Sequence, residues 1–154
     1  MEIKHLQDRP GSMKSVGLAI VFQSFERLLE ALRKRDLPVD MVRYINAGID
    51  EVNRFHGTER EMKRLVRRTQ KQTLRKLEKE LKLVVKNHYR DLWMALGLSV
   101  FGVPLGLAFA VSSSNMSFLA IGIPMGMVLG MAVGAGLDKQ AKERGLQIEV
   151  EVKH

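Results

Sequence analysis

The chain has 154 residues, with 25 Lys or Arg against 17 Asp or Glu, a formal net charge of +8 and no cysteine. That length allows one small domain or a domain with an anchor, and the missing cysteine excludes disulfides, as suits a reducing cytoplasm. Charge is unevenly spread: residues 92 to 137 contain no Lys, Arg, Asp or Glu at all, so the class is read segment by segment.

Glu2-Ile3-Lys4-His5-Leu6 alternates as a short strand would, and Arg9-Pro10-Gly11-Ser12 is turn chemistry. The first apolar run, Val16 to Phe22, is short and follows Glu2 and Asp8 as well as basic residues, unlike a secretory signal. Leu18, Phe22, Phe25, Leu29 and Leu32 recur at steps of three and four, the seam of a first helix from Ser15 to about Arg35. Asp36-Leu37-Pro38 stops it, and Pro38 suits the first turn of a second helix ending near Phe55, with Val42, Ile45, Ile49 and Val52 as its seam. His56-Gly57 closes that helix, and Thr58-Glu59-Arg60-Glu61 has the form of a capping box opening a third.

The third helix presents a weakly apolar face of Met62, Leu65, Thr69, Thr73, Leu77, Leu81, Val84 and His88. Nothing obvious breaks it before Trp93, so the expectation is one straight stalk, rising about 50 Å from Thr58 to Asp91. Its middle, Arg67 to Lys76, has few apolar residues to bury. From Arg60 to Arg90 lie twelve Lys or Arg against three Glu. A solvated face is one reading of this run. Contact with anionic lipid is another, for Lys79, Lys82, Lys86 and Arg90, joined by Lys139, Lys142 and Arg144 and by Tyr89 and Trp93 as interfacial aromatics. Nucleic acid is not expected as a partner, since no aromatic residues interleave the charges.

The uncharged stretch fits two membrane crossings, 92–111 and 118–137, joined by the polar connection Ser112 to Ser117. A buried helical pair in a soluble core would need more surrounding chain. Basic residues flank both outer ends and the connection has none, which places both termini on the cytoplasmic side of the membrane. Gly122, Gly126, Gly130 and Gly134 repeat at four-residue steps, and the first crossing carries Gly102 and Gly106. In lipid such grooves let helix backbones approach, so they are expected to pack helices, including those of neighbouring copies. Pro104 and Pro124 fall in matching Gly-x-Pro-x-Gly contexts. They read as paired kinks or, in an oligomer, as sources of freed carbonyls lining a pore. No ionisable residue within the crossings supports an ion path.

After the hairpin, Leu146, Ile148, Val150 and Val152 alternate with polar residues, as in a half-exposed strand. Such a strand needs an edge, and the segment around Ile3 or a neighbouring subunit would supply it. The expected fold class is an all-α membrane protein. It has a cytoplasmic domain (1–91) ending in the basic stalk, a transmembrane hairpin (92–137) and a cytoplasmic tail (138–154) with a short strand.

His5, His56, His88 and His154 are scattered without metal-ligand spacing, and Ser112 to Ser114 have no base to activate them, so no metal, cofactor or enzymatic activity is expected. The Tyr-x-x-x-Trp pair (Tyr89, Trp93), the Gly/Pro-rich hairpin and the Leu-Asp-Lys exit (Leu137, Asp138, Lys139) resemble small bacterial glycine-zipper membrane proteins. The likeness covers about the last third of the chain and implies membrane insertion but no activity. The expected function is a non-enzymatic, self-associating scaffold or accessory subunit of a membrane complex in contact with anionic lipids. The alternative is a pore-forming, membrane-permeabilising effector.

Overall fold

A computed structural model gives the structure of residues 2–7 and 16–151. The Arg9-Pro10-Gly11-Ser12 turn and the tail from Val152 lie outside these described residues. Two units are present, Met1–Val85 with Ile148–His154, and Lys86–Gln147.

The first unit packs α1 (Val16–Arg33), α2 (Val39–Arg54) and α3 (Glu59–Leu81) around one core. In α1 the buried face is Leu18, Val21, Phe25, Leu28, Leu29 and Leu32, so Phe22 sits at its half-buried edge. In α2, Met41, Val42, Ile45, Ile49 and Val52 point inward, and Pro38 lies just before the first turn. Gly48 permits a close approach to α3, since a Cβ there would lie 2.7 Å from Thr69 Cγ2. The capping box forms as spaced: Thr58 N donates to Glu61 Oε2 at 3.0 Å and Glu61 N to Thr58 Oγ1 at 3.4 Å.

The apolar-poor middle of α3 is nonetheless buried, through Thr69, Gln70 and Thr73. Gln70 Nε2 donates to Ser24 Oγ at 3.1 Å, which satisfies an otherwise costly buried amide. Residues 2–7 form neither helix nor strand. Asn46 on α2 accepts from Lys4 N at 2.8 Å and donates to Glu2 O at 2.9 Å, and Asn53, two turns on, accepts from Gln7 N at 2.9 Å. Arg33 of α1 donates to Ile3 O and Lys4 O, and Ile3 is buried.

The long stalk is interrupted. Lys82 is left-handed (φ 56), Val84–Val85 form β1, and Asn87 is left-handed again (φ 64) before the next helix starts at His88. The reason lies in Leu83, Val84 and Val85, all buried. Two adjacent β-branched residues favour a strand, and β1 pairs with β2 (Gln147–Ile148). A left-handed Lys costs roughly 1–2 kcal/mol, which this pairing and burial must offset. The C-terminal segment is therefore extended and paired at Gln147–Ile148, but its partner is β1 rather than the segment around Ile3 or another subunit. The strand stops at a tight turn in which Val150 N donates to Ile148 O at 2.7 Å.

In the second unit, α4 (His88–Leu96), a π-helical segment (Gly97–Gly102) and α5 (Val103–Ser112) form one continuous helix. It turns back into α6 (Ser117–Glu143). The expected crossings 92–111 and 118–137 fall inside these two helices. Both helices run further, the first from His88 to Ser112 and the second from Ser117 to Glu143. At the tip, Ser114 is left-handed (φ 49), Asn115 N donates to Ala110 O and Ser114 N to Val111 O, a C-terminal capping motif built without glycine. Asn115 Oδ1 then accepts from Ser117 N at 2.9 Å, which starts α6. The far end of α6 closes in the same way around Gly145 (φ 69), with Leu146 N donating to Ala141 O at 2.9 Å.

Candidate functional site: a glycine-closed apolar hairpin

Gly122, Gly126, Gly130 and Gly134 are all buried on one face of α6, against the first apolar helix of the same chain. A Cβ on Gly134 would lie 2.5 Å from Arg90 Cα, and one on Gly126 would lie 2.5 Å from Gly102 Cα. One on Gly130 would collide with the Trp93 carbonyl, and one on Gly122 with Gly106. On the facing helix, a Cβ at Gly102 or Gly106 would be tight rather than impossible, 3.2 Å from Gly122 O and 3.1 Å from Leu119 O. The glycine faces expected from the sequence thus meet each other within one hairpin.

Gly97 belongs to the same interface, although its spacing hides it. It stands five residues before Gly102, whereas Gly102, Gly106 and the buried Ala110 follow at steps of four. An α-helix would rotate Gly97 off the face. The π-helical turn, closed by Val103 N donating to Leu98 O, takes up the additional residue and returns Gly97 to the line, against Gly126 O and Gly130. Pro104 follows directly, at the start of α5, where the α-helical hydrogen bond it cannot make is already displaced. Pro124 lies inside α6 and is exposed.

With glycine inside, the bulky residues are outside. Phe101, Leu105, Phe109, Ile121, Met125 and Leu129 are all exposed, and only 22% of the apolar window of each helix is buried. The helices of 25 and 27 residues are long and apolar enough to cross a membrane. No family model, curated protein or solved structure matches this chain.

At the end of the hairpin away from the serine turn, the buried Asp138 accepts from Tyr89 N at 3.1 Å and Arg90 N at 2.9 Å. Asn87, the residue before the helix, offers no side-chain cap, so the cap of α4 comes from α6. Of the basic residues singled out in the sequence, Lys86, Arg90, Lys139, Lys142 and Arg144 belong to this unit, with Tyr89 and Trp93 half-buried among them. Arg90 pairs with Asp91 at 3.1 Å, and His88 packs edge-on to Tyr89 at 5.2 Å. Lys79 and Lys82 belong to the first unit, on the exposed end of α3. Among the described residues no group of three or more His, Asp or Glu is placed to hold a metal ion. Sequence reasoning missed Asp138 as a functional side chain. Its signal was an acidic residue among Lys139, Lys142 and Arg144, where a basic one would have followed the trend.

Proposed function

We propose that the chain is a two-span protein of the bacterial cytoplasmic membrane, with both ends on the cytoplasmic side, acting as a non-enzymatic scaffold or accessory subunit of a membrane assembly. The observation that carries this reading is the inverted distribution of the hairpin, glycine within and Phe, Leu, Ile and Met without. In water such a surface is an aggregation liability, whereas in lipid it is the stable arrangement. The cations at one end and the uncharged serine turn at the other support the orientation. The likeness to small glycine-zipper membrane proteins is consistent with it.

Self-association through the glycine face would require the hairpin to open, because that face is filled by the chain's own first helix. Assembly with further copies or with a larger membrane complex therefore falls to the outer face, around Phe101, Phe109 and Leu129. The absence of native cysteine makes the test clean. Ser113→Cys should react with an impermeant maleimide from outside intact spheroplasts, Glu51→Cys only after lysis, and the protein should resist carbonate extraction. Release by carbonate, or the opposite labelling pattern, would remove the membrane reading. A photo-crosslinker at Phe109 should give discrete higher-mass adducts, and a product that stays monomeric would remove the scaffold role.

A further inference from the structure

Helix α3 carries a strongly charged face that the core does not use. Arg60, Arg64, Arg67, Arg68, Lys71 and Arg75 are all exposed. At about 100° per residue they fall within about 100° of arc, directly opposite Met62, Val66, Thr73 and Leu77, which are buried. Glu61 acts on Arg64 through space, but none of the six makes direct ion-pair contact among the described residues. Lys76 differs: its Nζ is paired with Glu80 at 2.5 Å and lies 4.8 Å over the Tyr44 ring, outside this arc. The six cations thus form a stripe about 22 Å long without direct ion pairs, although Glu151 lines the cavity that Arg67 enters.

Two further observations bear on what covers that stripe. Arg67 and Ile20 line the same cavity between α1 and α3. Ile20 is 60% exposed and Val16, one turn before it, 76% exposed. Bare aliphatic side chains beside a row of cations are the composition of a surface that sits at a headgroup boundary. No aromatic residue stands in the stripe to stack on a base.

We infer that the basic face of α3 lies along anionic phospholipid headgroups of the membrane that holds the hairpin, with Val16 and Ile20 entering the headgroup boundary. The inference rests on the membrane reading of the hairpin and adds a second, electrostatic attachment to it. Tethering by the hairpin keeps the stripe at high effective concentration near the surface, so weak individual contacts suffice.

The full-length protein, reconstituted into vesicles of phosphatidylcholine with or without phosphatidylglycerol, provides the test. A fluorophore on Gln72→Cys, beside the stripe, should be quenched by nitroxide-headgroup lipid only when phosphatidylglycerol is present. Quenching should be lost at about 1 M salt, where the screening length falls to about 3 Å. It should also be lost in the combined variant Arg64→Gln, Arg68→Gln, Lys71→Gln and Arg75→Gln, while a label on Glu51→Cys of α2 stays unquenched. Flotation with both kinds of vesicle but equal quenching in each would overturn the inference and leave the hairpin reading standing. Shielding of the Gln72→Cys label by duplex DNA or RNA, with no lipid quenching, would overturn it in favour of a nucleic-acid surface. Failure to float with phosphatidylcholine vesicles would remove the hairpin reading and this one together.

Discussion

The Asp138 carboxylate accepts the backbone N–H of Arg90 at 2.9 Å, so the first apolar helix is capped by a residue that lies 48 positions later in the chain. The neighbouring oxygen takes Tyr89 N. Together they satisfy two of the donors that every helix start leaves open and place negative charge at the positive end of the helix dipole. Asp138→Ala should therefore loosen the start of α4 by about 1 kcal/mol, the usual worth of a cap. Asp138→Asn, which keeps one acceptor but turns an amide donor toward a second donor, should recover only part of this. Amide exchange at Tyr89 and Arg90 is the direct measurement, and unchanged exchange in Asp138→Ala would remove the capping role.

Glycines of α6 should not respond alike to alanine. A Cβ on Gly130 meets the Trp93 carbonyl, whereas one on Gly136 has nothing within 4 Å. Alanine gains about 1 kcal/mol of helix propensity at either place, but at Gly130 overpacking costs about 1–3 kcal/mol. Gly136→Ala should leave thermal unfolding in detergent unchanged or raise it, and Gly130→Ala should lower it. Equal behaviour of the two would mean that the interface is not closed as described.

In the first unit, Asn46 holds residues 2–7 against α2. Asn46→Ala removes the acceptor for Lys4 N and the donor to Glu2 O at a buried position, for a loss of about 1–3 kcal/mol. Tryptic cleavage after Lys4 should accelerate markedly. A rate equal to that of the parent protein would show that the remaining contacts, from Arg33 to Ile3 O and Lys4 O, from Asn53 to Gln7 N and from Asp50 to Lys4 Nζ, hold the segment without Asn46.

Hydrogen bonds from the Thr58 side chain, then from its backbone N–H, hold the Glu61 carboxyl below its ordinary value of 4.5. A carboxyl that titrates lower in the folded than in the unfolded state contributes stability that is complete above 4.5. That contribution is lost as pH falls through the folded value. Acid melts of the first unit should show a small loss on that side, and Glu61→Gln or Thr58→Ala should flatten it. A loss at higher pH instead would assign it to another group.

Much of this was legible in the sequence because it was local. The capping box at Thr58, the seams of α1 and α2 and the extent of the apolar stretch depend on residues three or four apart. What escaped depends on partners far along the chain. Lys82 to Asn87 reads as helix until Ile148 arrives to pair with Val84–Val85, and only then is the left-handed Lys82 compensated. Asp138 reads in the sequence only as part of the Leu-Asp-Lys exit, because its partners are the backbone N–H groups of Tyr89 and Arg90. The glycine faces were visible, but whether they would meet within one chain or between copies is set by the tight turn at Ser114 and Asn115, whose closure depends on a non-glycine residue adopting a positive φ.

The π-helical turn between Gly97 and Gly102 makes the first apolar helix one residue longer than its rotation requires. The backbone takes up that residue as a wider turn. Removing Ser99, which is exposed and whose hydroxyl donates only to Ala95 O and Leu96 O of its own helix, should let the segment relax to ordinary α-helix with glycines four apart. The interface with α6 would survive the deletion. The same deletion made at Leu107, where no wide turn exists to take it up, would rotate Gly106 and everything before it away from α6.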